Sequence, residues 1–326
     1  MQTDCTALAN RAIARGAMKR QRVPLILSLA LVAMAATSPG PTRQEKFVAE
    51  LRDADARLAV VANRILIGNA ARCQHLMPAT GATILALEQY PEVMRPAAAR
   101  VLGFATPVGI EAIAPGSPAA QAGLRQGDGI VAINDRVMPT TVTGSGSSSN
   151  LRDSVERAIA AFPPDRPITF SIMRGGSASA ITIMPSKACR SRFEIVPQGR
   201  PMAHSDGETI QISSGFLARF GDSALAAIFA HELAHTILGH RERVAAATTG
   251  KKQVQREAER EADRLSVHLL AAAGYDPRIA PTFWREHGGA ISWLSFGDTV
   301  HDSPRKRIAA LEDEIGRMEL EQRQGN

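Results

Sequence analysis

The chain has 326 residues, of which 44% are hydrophobic, 4% aromatic and 21% charged. This composition excludes an intrinsically disordered protein, and the length allows one large domain or two modest ones. The formal net charge of +6 does not indicate nucleic-acid binding: residues 1–38 hold five basic residues against one acidic residue, and no basic patch is interleaved with aromatics.

The first 38 residues have the pattern of a secretory signal peptide, with an upstream extension. A basic cluster at 19–22 precedes an apolar run at 23–36, and Ala33-Met34-Ala35 forms an A-x-A cleavage site. The pattern predicts export to the periplasm from a start at Met1 or Met18. The alternative is an uncleaved inner-membrane anchor, although the apolar run is short for a membrane span. An intramembrane protease is excluded because no further apolar span follows.

Cysteine usage agrees with an oxidising compartment. Beyond Cys5 the chain has Cys73 and Cys189, an even pair that we predict to form a disulfide. The alternative is two unrelated buried thiols. No C-x-x-C pair supports a cysteine zinc site.

The predicted elements describe an α+β protein. Apolar residues at three- and four-residue spacing predict a helix over 43–70, which opens an N-terminal helical part over 43–97. Between 98 and 185 short β-rich runs alternate with glycine and proline turns, with a helix at Leu151–Ala161. Strands are expected at 109–113, 129–133, 168–172 and 180–183. From 186 the chain becomes helical again, with helices expected over Asp222–His240, Lys251–Ala273 and Ser303–Arg323.

A metal-binding pattern lies in the apolar helix after residue 222. His231-Glu232-Leu233-Ala234-His235 matches H-E-x-x-H, in which residues i and i+4 share one helix face and both imidazoles can bind one ion. Glu232 can take a proton from the water that attacks a peptide bond. Polar side chains on an apolar helix are costly to bury without a ligand, which favours a metal over two core histidines.

A catalytic zinc site also needs a third protein ligand. The metzincin pattern fails, because Leu238 and Arg241 stand where its glycine and third histidine should be. The remaining source is the acidic helix, where Glu259 and Asp263 share one face and Glu257 and Glu261 share another. Spacing alone does not choose between these faces.

These motifs resemble the gluzincin metallopeptidases that include CAAX prenyl endopeptidases and HtpX-like bacterial proteases. The resemblance covers about 43–97 and 186–326, the latter forming the expected catalytic part. It rests on H-E-L-A-H with Gly239-His240 behind it, on Glu259–Asp263 running into Gly274-Tyr275-Asp276-Pro277, and on His301 with Arg307. It implies a mainly helical, zincin-type metallopeptidase with one Zn²⁺ per chain.

The resemblance also implies roles for single residues. Glu259 becomes the third metal ligand beside His231 and His235, Asp263 orients a ligand histidine, and Glu261 faces elsewhere. Glu232, His301 and Arg307 are the implied catalytic residues, with His301 near the metal or the reacting carbonyl. The chain departs from the family at Asp302, usually proline, and at 202–207, where the family has a substrate-aligning strand edge. We interpret His204, His240 and His268 as structural.

The inserted block at 98–185 resembles a small β-rich PDZ domain of the type found in bacterial proteases. The segment Pro115–Asn134 carries most of this resemblance, and Arg174-Gly175-Gly176 fits the last hairpin. Such domains bind extended C-terminal peptides by strand addition, and the resemblance puts the carboxylate-binding loop near Val101–Phe104. The alternative is a purely structural insert.

Together these features predict a periplasmic zinc endopeptidase that cuts unfolded or mistargeted envelope proteins for quality control. Its partners would be unfolded or C-terminal peptide segments of those proteins, with peripheral membrane association possible and no nucleic acid. The PDZ-like domain would bind substrate tails or gate the site. The alternative is a PDZ-based binding or chaperone-like module whose metal site is latent, with His301 in the open metal position.

Overall fold

A computed structural model describes residues 40–291 and 302–324 of the chain. The predicted α+β class is confirmed. The helices are α1 Arg43–Gly68, α2 Arg95–Leu102, α3 Pro118–Gln121, α4 Asn150–Ala160, α5 Ser214–Arg219, α6 Asp222–Ile237, α7 His240–Ala246, α8 Lys251–Ala272, α9 Ile279–Ile291 and α10 Pro304–Gln324. The strands are β1 Leu76–Ala79, β2 Ala82–Ala86, β3 Val108–Ile113, β4 Gly129–Ile133, β5 Arg136–Val137, β6 Ile168–Arg174, β7 Ser177–Ile183, β8 Ser186–Cys189, β9 Arg192–Val196, β10 Ala203–Ser205 and β11 Thr209–Ser213.

The long helix α1 begins at a capping box. The Thr42 hydroxyl accepts a hydrogen bond from the Glu45 amide at 3.2 Å, and the Glu45 carboxylate accepts one from the Thr42 amide at 2.8 Å. The second half of α1 buries Leu58, Val61, Ala62, Ile65 and Leu66 in the core of the helical part. The apolar periodicity of 43–70 therefore predicted this helix correctly.

Helix α6 is the central element of that core. Residues 224–234 are buried on every side, and α6 packs against α1, α8 and α9. The predicted helix Asp222–His240 ends earlier, at Ile237, because Gly239 adopts a left-handed backbone with φ +60°. His240 then starts the separate helix α7.

Two sheets flank this helical core. The larger sheet has the order β2-β3-β4-β6-β7, with β5 paired to β4, and its apolar face buries residues such as Ile110, Phe170 and Ile172. The smaller sheet has the order β10-β11-β9, in which β11 runs parallel to β9 and antiparallel to β10.

The β-rich domain begins before the predicted boundary at residue 98. Strand β2, at Ala82–Ala86, pairs antiparallel with β3, and its residues Ile84 and Ala86 belong to the same core as β4 and β6. The region 43–97 is therefore only partly helical. The five residues of β2 are small or aliphatic and show no alternation of polar and apolar positions, because the strand is covered on both faces.

The entry and exit of the β-rich domain are joined at a neck, which we define as β1, β8 and the disulfide beside them. β1 and β8 form a two-stranded antiparallel ribbon, with Leu76 opposite Cys189. Cys73 and Cys189 form the predicted disulfide, with 5.4 Å between their Cα atoms. No helix within 40–291 or 302–324 is long and apolar enough to cross a membrane.

Candidate metal centre

The two histidines of the H-E-x-x-H pattern lie one turn apart on α6, with their metal-binding nitrogens close together. The distance between His231 Nε2 and His235 Nε2 is 3.2 Å. His231 is buried, because the helix that carries it is enclosed by the core. The sequence pattern thus produces the convergence that its spacing predicted.

A carboxylate from α8 completes a triangle of donor atoms. Glu259 Oε2 lies 3.3 Å from His231 Nε2, and Glu259 Oε1 lies 3.4 Å from His235 Nε2. Ligands bound to zinc at tetrahedral angles are separated by about 3.3–3.5 Å. The three side chains therefore fit three corners of a tetrahedral zinc site and leave the fourth corner open. Within the described residues, this is the group of histidine, cysteine and acidic side chains with such spacing.

Behind His231 lies a buried ion pair. His231 Nδ1 is 3.1 Å from Asp263 Oδ1, and Arg307 Nε donates to Asp263 Oδ2 at 2.7 Å. The Arg307 guanidinium also stacks on Trp284, with 3.6 Å between its central carbon and the ring centroid. Asp263 and Arg307 are 6% and 4% exposed at their side chains, so each compensates the other's buried charge.

The acidic residues of α8 divide as the family resemblance implies. Glu259 and Asp263 face α6, whereas Glu261 faces α7 and contacts Arg243 and His240. Glu257 interacts with Gln253 on the same helix, at 3.1 Å. The face of α8 that meets the two histidines is therefore the one that carries Glu259 and Asp263, a choice that spacing alone could not make.

The surrounding charges shift the pKa values of the two imidazoles in opposite directions. Burial opposes a charge on His231, but hydrogen bonds to Asp263 and Glu259 outweigh it and raise the pKa of His231 to about 10. Burial and the neighbouring His231 lower the pKa of His235 to about 3. Asp263 and Glu259 thus favour positive charge at this position, as they would favour a bound cation.

Glu232 is poised to exchange a proton near neutral pH. Removal from water is the main influence and raises the pKa of Glu232 to about 7, although the positive His231 opposes this. The side chain is only 9% exposed. A raised pKa is the direction expected of a general base, the role that the sequence predicts for Glu232.

A cleft of about 680 Å³ opens over these residues. Its walls include His231, Glu232, His235 and Glu259 on one side and β10 on the other. Within the described part of the chain β10 is an outer strand of its sheet, and Ala203, His204 and Ser205 of this edge strand line the cleft. The segment 202–207, which departs from the family sequence, still forms this edge. Asp206 closes its turn by accepting from the amides of Glu208 and Thr209.

Two predicted site residues have different outcomes. Arg307 lies at the centre, as described above, where it pairs with Asp263 and also lines the cleft. His301 lies outside the described residues. Its neighbour Asp302 is described, and Arg260 Nε donates to Asp302 Oδ2 at 2.6 Å. The aspartate that replaces the usual proline therefore ties this end of α10 to α8.

The predicted carboxylate-binding loop of the β-rich domain is wrong. Val101 and Leu102 end α2, Gly103 caps it with φ +83°, and Phe104 packs over Gly109 of β3. The outer strands of this sheet are β2 and β7, and the segment directly precedes neither of them. The resemblance to a G-L-G-F loop misled because the residues that follow it form β3, an inner strand.

Some backbone amides of β2 already donate hydrogen bonds to side chains of the same chain. The Ala82 amide donates to the Thr80 hydroxyl at 3.2 Å, and the Ala86 amide donates to the Gln89 side chain at 3.0 Å. Glu88 also accepts from the Leu151 amide at 2.6 Å and so fixes this strand to the start of α4. A peptide that adds to β2 must compete with these local hydrogen bonds.

Sequence reasoning missed two contributors to the centre. Trp284 has no spacing relation to the motif and reaches Arg307 only because α9 and α10 pack together. His240 was interpreted as structural, although its ring lies directly behind His235. Its position immediately after H-E-L-A-H-x-x-x-G was the available signal.

Comparisons with known proteins give two family matches and one similar solved structure. Residues 242–315 match the model of peptidase family M48, and residues 109–144 match that of a PDZ domain. Among solved structures, an HtrA-type protease AlgW with decapeptide is similar at 21% identity and a TM-score of 0.26. That match covers 34% of this chain and 30% of the other, so the chain spans less than a third of that protease. No curated protein matches the chain.

Proposed function

We propose, from the premise that this chain is a metallopeptidase of the family M48 type with a PDZ domain, that it is a zinc-dependent endopeptidase. The observation that carries the proposal is the triangle of His231, His235 and Glu259, whose 3.2–3.4 Å edges suit tetrahedral zinc, with Glu232 beside it. Imidazole and carboxylate donors with an open position are typical of catalytic zinc rather than of structural zinc.

Each residue has a chemical task in peptide hydrolysis. When bound, zinc supplies Lewis acidity, which polarises the scissile carbonyl and makes water acidic enough to attack at neutral pH. Glu232 accepts the proton of the attacking water and then returns it to the leaving amine. Asp263 holds the proton on His231 Nδ1, so that Nε2 remains free to bind metal.

The position of β10 beside the cleft supports a proposal for the substrate class. As an outer strand that lines the cleft, β10 suits an extended chain that adds to it as a further strand, whereas a folded segment has no unpaired strand to offer. We therefore propose unfolded or mistargeted proteins of the bacterial envelope as substrates, in a quality-control role. The signal-like N-terminus and the Cys73–Cys189 disulfide support a periplasmic location. The PDZ domain would bind substrate tails or gate the cleft.

The variant Glu232→Gln tests the mechanism. It retains the size of the side chain but cannot accept a proton, so we expect normal zinc content and no cleavage of unfolded casein. Metal analysis and casein digestion on the same preparation provide both readouts. Cleavage by E232Q at the wild-type rate would contradict the proposed general base, and wild-type protein without stoichiometric zinc would contradict the metal.

The location is tested independently of the chemistry. The N-terminal mass of protein isolated from the envelope should correspond to cleavage near Ala35 or Ala36. An intact N-terminus in the membrane fraction would support the anchor instead.

A further inference from the structure

His240 lies behind the second metal-facing histidine and contacts it with one ring nitrogen. The distance between His240 Nδ1 and His235 Nδ1 is 2.9 Å, and His240 is buried. The contact depends on Gly239, whose left-handed backbone ends α6 and turns the chain so that the next residue returns beneath His235. The opposite nitrogen, His240 Nε2, is 3.1 Å from Glu261 Oε2.

The direction of these hydrogen bonds follows from the metal. Because His235 must present the lone pair of Nε2 to the ion, its proton resides on Nδ1. His235 Nδ1 is therefore the donor, and His240 Nδ1 must be the acceptor. A neutral His240 that accepts at Nδ1 carries its own proton on Nε2, where Glu261 is placed to accept it. The tautomer of His235 thus fixes the tautomer of His240.

Both metal-facing imidazoles are supported by a carboxylate that an arginine holds. For His231 the carboxylate is Asp263, held by Arg307. For His235 it is Glu261, held by Arg243 at 2.7 Å, and His240 transmits the interaction. Glu261 is two residues from Glu259 on α8 and so projects toward α7, and the ring of His240 bridges the gap to His235.

We propose that His240, with Glu261 and Arg243 behind it, is a positioning residue that fixes the tautomer and orientation of His235 for metal binding. This assignment rests on the proposed function, since it needs a metal at the site. It gives His240 a role that is neither that of a metal ligand nor that of general packing. Partners of this kind contribute about 10–100-fold to metal affinity.

Zinc competition against a chromophoric chelator tests the proposal on the purified full chain. We expect His240→Phe, which fills the space without an acceptor, to weaken zinc binding about 10–100-fold. We expect His240→Asn to restore most of the affinity, because its side-chain oxygen lies near the position of Nδ1 and can accept from His235. The matched control is His268→Phe on α8, whose Nε2 contacts Glu314 at 2.8 Å away from the centre. H268F should bind zinc as the wild type does.

The stability of the metal-free proteins separates positioning from packing. Urea unfolding in excess chelator should be similar for H240F and H240N, while their zinc affinities differ. Equal zinc affinity in wild type, H240F and H240N would overturn the proposal and leave the zinc site intact. Wild-type protein that binds no zinc would instead overturn the proposed function and this assignment with it.

Nitrogen-15 spectra of histidine-labelled, zinc-loaded wild type report the histidine tautomers in the unaltered protein. We expect His235 as the Nδ1–H tautomer and His240 as neutral Nε2–H, with signals assigned by single substitutions. A proton on His240 Nδ1 would overturn the proposed direction of the hydrogen bonds.

Discussion

Arg307 is a buried cation whose nearest carboxylate is Asp263, with Glu259 4.0 Å away as a second. Asp263 accepts from Arg307 Nε at 2.7 Å, and Trp284 covers the guanidinium at 3.6 Å. Removing one partner from a buried pair leaves the other charge uncompensated, which costs about 3–5 kcal/mol. Asp263 therefore contributes to the stability of the fold in addition to orienting His231.

We predict that Asp263→Asn lowers the free energy of unfolding by about 3–5 kcal/mol in the presence of chelator, where metal binding does not contribute. Urea denaturation measures the change. The matched control is Glu319→Gln, which breaks the exposed Arg278–Glu319 pair and should cost no more than about 1 kcal/mol. A D263N protein as stable as E319Q would show that the buried pair is not needed for stability.

The acidic residues of α8 allow a second prediction at this scale. Glu259→Gln should remove chelator-sensitive stabilisation, because the carboxylate is the third side chain of the metal triangle. Glu257→Gln, two residues away on the exposed side of α8, should keep it. Thermal unfolding of each variant with and without chelator measures the difference. If chelator lowers the thermal unfolding midpoint of E259Q by as much as that of wild type, another residue supplies the third ligand.

At the scale of elements, the helices could be predicted from their apolar periodicity. Which face of α8 meets the two histidines of α6 could not. The i, i+4 spacing of His231 and His235 requires only α6 itself, so it was readable locally. Whether Glu259 or Glu257 meets these histidines depends on how α8 rotates against α6, which is decided by long-range packing. Resemblance to a family, rather than spacing, made that choice.

The β-rich domain illustrates a different limit. Turns with glycine and proline identified β3, β4, β6 and β7, but β2 lies between two apolar clusters and has no period-2 signal. The local sequence Val101–Phe104 resembles a binding loop yet ends a helix, because its role is set by the strand that follows it. Edge strands are defined by their neighbours, and a single sequence does not reveal them.

The neck joins the two ends of the β-rich domain and gives a prediction for an element. The Cys73–Cys189 disulfide closes a loop with a sequence separation of 116 residues, so it restricts the unfolded chain strongly. We predict that the double variant Cys73→Ala and Cys189→Ala loses about 2–4 kcal/mol of unfolding free energy. Reductant should lower the stability of the wild type to a similar extent and leave the double variant unchanged. Equal stability in all four measurements would exclude a stabilising role.

At the scale of the whole molecule, charged groups lie where the helical part and the β-rich domain meet. Helix α1 contributes Asp55, β3 contributes Glu111, and α4 contributes Arg152 and Glu156. From β9 the Glu194 carboxylate accepts from Arg152, and the Ile195 amide donates to Asp55 at 3.3 Å. Desolvation raises the pKa of Asp55 to about 7 and that of Glu156 to about 7, although Arg152 opposes both shifts. Neighbouring carboxylates, including Glu194, add to the shift of Asp55.

These pKa shifts predict that the junction weakens as pH rises. The folded protein holds a proton on Asp55 that the unfolded chain releases above the ordinary carboxyl pKa. The stability that this group contributes is therefore complete at acidic pH and is lost as pH rises through about 7. Asparagine resembles the protonated acid and can still accept from the Ile195 amide, but it does not titrate. We predict that Asp55→Asn gains about 1–3 kcal/mol relative to wild type between pH 5 and pH 8.

Urea denaturation of both proteins at the two pH values measures this gain, and the comparison cancels every titration that the two proteins share. The matched control is Asp53→Asn, on the solvent side of the same helix with a side chain 68% exposed, and it should show no comparable gain. A D55N protein whose stability relative to wild type does not change with pH would show that Asp55 does not hold a proton in the folded state. The junction would then have to be stabilised by ionised carboxylates paired with Arg152 and Arg192, and its stability would decrease on acidification instead.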